Sequence, residues 1–252
     1  MNSKIQNAFK HLRTTQGFTL IEVAIVTVIL GLLIGGTMAG VALLRSSELT
    51  AILKEQRQYK SAMEMFRQQY GALPGDMGDA ANVWGQSSDC AVPATGTETC
   101  NGDSNGLITQ GIGEWTRAWQ HLALAEYLSA DFTGIYNVSL TESNPTSKYK
   151  NGLWLIIYEK PGFWDLSFLN GNLFDVPYTN ALTIIAENAA LNYAIITAHD
   201  ARALDAKVDD GTPARGKVLS NPNCTTAASA ADLTATYKND GTTVQCFLAF
   251  NP

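Results

Sequence analysis

What most constrains this chain is a run of twenty-two uncharged, mostly apolar residues from Val23 to Leu44, preceded at once by a single acid, Glu22. As a helix such a run spans roughly 33 Å, about the thickness of a bilayer's hydrocarbon core. A charge in such a segment costs at least ~2.5 kcal/mol, so carboxylates found there tend to serve a function. Lys4, Lys10 and Arg13 precede the run with no acid among them. By the positive-inside rule, residues 1–17 stay in the cytoplasm and the rest is exported. A secretory signal has a shorter apolar core followed by a small-residue cleavage site. Here the run is too long and the turn-forming Gly17 precedes it, so the chain reads as anchored.

The helix is predicted to continue from Arg45 to Tyr70. Leu49, Ile52, Tyr59, Met63, Phe66 and Tyr70 recur at three-, four- and seven-residue steps and form one apolar face. Glu48, Lys54, Glu55, Arg57, Lys60, Glu64 and Arg67 fill the other faces with mixed sign, as on a solvated side. Gly71, Pro74 and Gly75 end the helix, and a turn with a short helical segment follows to Gly85. Residues 86–110 read as a loop. Trp115, Trp119, Leu122 and Leu128 predict a helix from about Glu114 to Ser129. Gly152–Glu159 and Phe163–Leu169 read as strands around the Lys160-Pro161-Gly162 turn. Thr197-Ala198-His199-Asp200 opens a helix to about Val208 with a capping box, and Cys246–Phe250 reads as a final strand. The fold class is therefore α+β: a long transmembrane and amphipathic helix, then a head with antiparallel strands and extra helices.

At this point the residues carry a resemblance. Gly17-Phe18-Thr19-Leu20-Ile21-Glu22-Val23 resembles the processing motif of type IV pilins and of the pseudopilins of type II secretion. Leu73-Pro74-Gly75-Asp76 after a long amphipathic helix also recurs in pseudopilin-like proteins. The resemblance implies that a prepilin peptidase cuts between Gly17 and Phe18 on the cytoplasmic face and methylates the new amino terminus. Glu22 then becomes the fifth residue of the mature chain. In that family it neutralises the amine of a neighbouring subunit, here that of Phe18, as helices stack into a filament. Read from the residues alone, Glu22 could instead be protonated in lipid or snorkel to the interface.

The implied plan is a leader at 1–17, a transmembrane half-helix at 18–44, a periplasmic half-helix at 45–70 and a periplasmic pilin-like head at 71–252. The implied function is a structural subunit of a type IV pilus or pseudopilus. A mature chain of 235 residues is large for the repeating subunit, which points to a minor one. Its partners would be other pilin or pseudopilin subunits, the prepilin peptidase, an inner-membrane assembly platform and the bilayer. The competing reading is a membrane-anchored binding or adhesin-like domain that never polymerises.

Without the first sixteen residues the net charge moves from -6 to -9, which argues against a nucleic-acid partner. Cys90, Cys100, Cys224 and Cys246 form no Cys-x-x-Cys pair and stand at no metal spacing from a histidine, so they read as two disulfides. Of three possible pairings, Cys90–Cys100 and Cys224–Cys246 is favoured, because each closes a short loop in a turn-rich segment.

Asn101, Asp103 and Asn105 alternate ahead of Gly106 and Ile108, like the front half of a calcium loop. The closing acid is displaced: Ile112 stands at its position and Glu114 comes two residues late. The candidate calcium ligands are thus Asn101, Asp103, Asn105 and Glu114, and the competing reading is an Asx/Gly turn that needs no ion.

Asp205, Asp209 and Asp210 make a second acidic knot, read as a structural turn, the competing reading being that they meet Lys207, Arg215 or a cation. The nearby Gly211-x-x-x-x-Gly216-Lys217 fails as a phosphate loop, since Val218 replaces the hydroxyl residue and no strand precedes it. No hydrolase or zinc-protease signature is present, and His121 and His199 are isolated, so no enzymatic activity is expected.

Overall fold

The computed structural model describes residues 17–90, 98–109, 113–135, 140–159, 174–176, 178–187 and 193–251. The chain divides into two compact units, residues 1–47 and 48–252. The predicted strand Phe163–Leu169 lies outside the described residues.

In the first unit the described chain is the start of helix α1 (Leu20–Tyr70, 51 residues). It is long and apolar enough to cross a membrane. Its side chains stand out on all sides: Leu20 is 92% exposed and Leu32 72%. A continuous apolar surface of this extent marks a lipid or protein contact.

In the second unit α1 turns one face to a core. Leu49, Ile52, Leu53, Tyr59, Ala62 and Phe66 are buried, and Met63 and Tyr70 pack at the margin. Each fully buried large side chain contributes on the order of 1.5–3 kcal/mol. Glu55 departs from the solvated side that the charge pattern predicts, because it lies on the buried face and takes its hydrogen bonds from the head. Gly71 ends α1 at φ +70, donating its N–H to Arg67 O at 3.0 Å. Only a residue free to enter the left-handed region closes a helix this way.

The rest of the head is mixed. Helix α2 is Ala80–Trp84, and α3 (Glu114–Leu124) stops five residues before the predicted end at Ser129. Glu126 takes a φ of +61 there, and the N–H groups of Tyr127 and Leu128 fold back to Leu122 O. Leu128 thus reaches the core through a turn rather than along the helix. Helix α4 (Leu140–Ser143) was not predicted. Helix α5 (Ala198–Val208) begins where Thr197 Oγ1 accepts the Asp200 N–H at 3.3 Å, as the capping pattern predicts.

Among the described residues, the strands of both sheets pair antiparallel. Strands β1 (Leu153–Glu159), β2 (Tyr178–Ile185), β4 (Val218–Ser220) and β6 (Leu248–Phe250) form one sheet in the order β1-β2-β6-β4. Strands β3 (Ile196–Thr197) and β5 (Val244–Cys246) form a second. The predicted tail strand is therefore split between two sheets at Phe247, whose N–H donates to Asn221 Oδ1 at 3.0 Å. Leu153 to Ile156 are all buried, as in a strand covered on both faces. The β1–β2 register slips between Ile157/Ala181 and Glu159/Tyr178, so β2 carries an extra residue. Asn180 sits in that bulge at φ +52.

Candidate functional site

Gly17, Phe18 and Thr19 precede the first turn of α1 and are exposed. Thr19 caps the helix. Its N–H and its hydroxyl both donate to Glu22 Oε2 at 2.8 Å, and the Glu22 N–H donates to Thr19 Oγ1 at 3.3 Å. This reciprocal closure is a capping box, in which a threonine and the acid three residues later satisfy orphan amides of the first turn. The negative side chain also lies at the positive end of the helix dipole. Glu22 therefore has a local partner within its own chain. The Thr-x-x-Glu spacing could have been read from sequence, but the hydropathy of the segment dominates it.

Gly17 has no such local reason. A Cβ placed there meets nothing within 4 Å, and its φ is not in the left-handed region. Among the described residues, neither space nor backbone conformation requires glycine at that position.

The acidic loop is built around a residue outside the predicted ligand set. Asp76, in the turn after α1, accepts the Asn105 N–H on Oδ1 and the Gly106 N–H on Oδ2, both at 2.9 Å. The loop can ride this closely because Gly102 lacks a Cβ, which would fall 2.4 Å from the Asp76 carbonyl carbon and Gly75 O. Glu114, in the first turn of α3, accepts the Asp103 N–H on Oε1 at 3.0 Å, and the Thr109 N–H and hydroxyl on Oε2 at 2.9 Å. Carboxylate oxygens of Asp76, Asp103 and Glu114 lie within 4.8 Å of one another.

The two asparagines in the predicted ligand set are engaged otherwise. Asn101 Oδ1 accepts the Ala81 N–H at 2.8 Å and so holds α2, and Asn105 Oδ1 accepts the Leu107 N–H at 2.8 Å. Burial raises the pKa of both Asp76 and Glu114, with the neighbouring Asp103 charge adding to each and their N–H donors opposing. Arg117, nearby on α3, donates to Asn101 O at 2.6 Å, and burial lowers its pKa while Glu114 opposes that shift. Three convergent carboxylates suit a hard, oxygen-seeking cation.

The second acidic knot folds as a turn. Asp205 is fully buried, with Oδ2 accepting the Tyr237 hydroxyl at 2.8 Å and Oδ1 the Gly211 N–H at 3.2 Å. Burial pushes its pKa up to about 7, and the charges of Asp210 and Asp209 add to the shift. Asp209 accepts the Lys217 backbone N–H, and any side chain at Gly216 would overlap its carboxylate. The Gly-rich segment leads into β4 rather than out of a strand.

Both disulfides, Cys90–Cys100 and Cys224–Cys246, are present, with Cα atoms 5.9 and 4.9 Å apart. His121 is buried. Its Nδ1 accepts the Gly75 N–H at 2.9 Å and its Nε2 lies 3.0 Å from Thr99 Oγ1, so it joins the end of α1 to the Cys90–Cys100 loop.

Compared with known families, residues 12–38 match the prokaryotic N-terminal methylation motif. No curated protein and no solved structure matches the chain.

Proposed function

We propose that this chain, which carries the N-terminal methylation motif of the type IV pilin and pseudopilin family, is a minor filament subunit matured by cleavage between Gly17 and Phe18. The observation that carries the reading is the pairing of a fully exposed apolar half-helix with a glycine at its entrance that the fold does not require. A glycine that no described residue of its own chain requires is accounted for by recognition from outside, here by a peptidase.

On this reading α1 first anchors the chain in the inner membrane and then stacks against α1 of neighbouring subunits. Glu22 gives up the Thr19 cap and pairs with the amine of a neighbour's Phe18. Two opposite charges removed from water lower each other's cost only when they meet. The head, on the periplasmic side, is held by two disulfides suited to that oxidising compartment. Its role is structural rather than catalytic.

The head also takes one calcium ion on Asp76, Asp103 and Glu114, a set supported by the convergence of these three carboxylates. The ion would offset their mutual repulsion and fix the 101–109 loop.

The test is Glu22→Ala. Insertion and cleavage are expected to persist, because the helix becomes more apolar and the scissile bond is untouched, while the variant is lost from sheared filaments. Co-fractionation of the variant with filaments at the wild-type level would favour the anchored head that never polymerises.

A further inference from the structure

A cavity of about 570 Å³ opens in the head between residues 56–67 of α1, the turn at 71–76 and strand β2. That volume falls within the usual range of small-ligand pockets. Leu182 and Phe250 contribute nearly fully buried apolar surface, and Met63 and Leu73 add apolar sides. One wall stands on a distortion of the sheet, the β2 bulge that holds Asn180 at φ +52. The Asn180 side chain spans outward, with Oδ1 accepting the Ile108 N–H at 2.8 Å and Nδ2 donating to Gly106 O at 3.1 Å. The bulge thereby ties the loop to the strand at the edge of the cavity. Bulges and left-handed non-glycine residues recur next to binding sites, where they re-aim strands and side chains.

The charges on the walls decide what such a cavity would take. Glu64 is 3.9 Å from Lys60 and forms an ion pair with it. Asp76 turns its two oxygens towards the loop, accepting the Asn105 and Gly106 N–H groups, and belongs with Asp103 and Glu114. Arg67 is exposed and makes no ion pair among the described residues. It is therefore the wall charge left for an occupant. A guanidinium offers two parallel N–H donors, which match a carboxylate in a fork-to-fork geometry and repel a cation.

We infer that this cavity binds a small amphipathic monocarboxylate, with its apolar body against Met63, Leu73, Leu182 and Phe250 and its carboxylate on Arg67. The inference goes beyond the filament reading and does not depend on it. The experiment uses the full chain in phosphatidylcholine nanodiscs, titrated with 4-phenylbutyrate and followed by saturation-transfer NMR, with empty nanodiscs subtracted. Saturable binding is expected, and at least roughly tenfold weaker binding of 4-phenylbutanamide and 4-phenylbutylamine, since only the acid can form the charged fork. Arg67→Gln, at an exposed position, should weaken 4-phenylbutyrate by a similar factor, and Thr179→Trp at the rim should block it. Absence of saturable binding, equal binding of the amide or amine, or an unchanged titration in either variant would each overturn the assignment.

Discussion

Glu55 Oε2 accepts the Trp154 indole N–H at 2.9 Å, linking helix α1 to the first strand of the head across ninety-nine positions of sequence. The same oxygen accepts the Ser147 hydroxyl at 2.6 Å, and Oε1 accepts the Lys148 N–H at 2.9 Å. Tyr59, one turn on, packs its ring edge-on against Trp119 and Trp154, with centroids 5.2 and 5.6 Å away. Burial, aided by the Glu55 charge, pushes its phenol up to about 12. A single acid thus fastens the helix to the head at the centre of an apolar seam.

Glu55→Leu is expected to be among the most damaging single changes in the head. It strands three donors, two of them on buried residues, and each unsatisfied buried group costs about 1–3 kcal/mol. Glu55→Gln keeps a carbonyl acceptor and should lose less. Denaturant unfolding followed by tryptophan fluorescence measures both, and equal midpoints for Glu55→Leu and the wild type would remove the clamp.

The head's pH response should include two opposed slopes. Burial first, and the Arg117 charge second, hold His121 down at about 3 against an ordinary 6.5. Its contribution is complete above pH 6.5 and is lost as pH falls towards 3, at about 1.4 kcal/mol per pH unit. Asp205 runs the other way, since its pKa rises from 3.8 to about 7 on folding. Its contribution is complete below pH 3.8 and is lost as pH rises through 7. Between pH 3.8 and 6.5 the two oppose each other. Asp205→Asn should expose the rise of stability with pH, and His121→Gln the fall. Denaturation midpoints across that window check the signs, and parallel curves for the two variants would contradict both assignments.

Gly17→Ala should leave folding and membrane insertion unchanged, because the added methyl meets nothing. Processing should fail, so that intact mass retains residues 1–17 where the wild type starts at a methylated Phe18. Normal cleavage of the alanine variant would show that glycine is not what the peptidase reads.

Calcium should raise the thermal midpoint of the chain, and Asp76→Asn should abolish most of that gain. Asp103→Asn should do the same, whereas Asn101→Ala should lower the midpoint with and without calcium alike, because Asn101 serves α2. An identical calcium response in Asp76→Asn and wild type would exclude this carboxylate from the site.

The parts legible in the sequence are those whose cause is local. The Leu49–Phe66 stripe, the Thr197 cap and the exit of α1 at Gly71 follow from spacing within a few residues. What the sequence concealed depends on distant partners. β2 escaped notice because Tyr178-Thr179-Asn180 breaks its alternation, and the break is the bulge itself, meaningful only beside β1. Glu55 looks like any surface acid until Trp154 arrives, and Asp76 stands 27 positions from Asp103. Asn101 and Asn105 have the spacing of ligands, yet their carbonyl oxygens are used by backbone amides nearer to hand.

The Thr19–Glu22 closure gives the proposed filament a thermodynamic character. On that proposal, a subunit in the membrane would already hold its carboxylate in two hydrogen bonds of 2.8 Å, so joining a neighbour would exchange one partner for another rather than rescue an orphan. Exchange reactions of this kind have small net free energies even when each bond is strong. In the proposed filament the ion pair would then set the register between subunits, while the apolar contacts of α1 would supply most of the cohesion. A polymer built on such a swap can be taken apart again, and its subunits can return to the bilayer with their first turns intact.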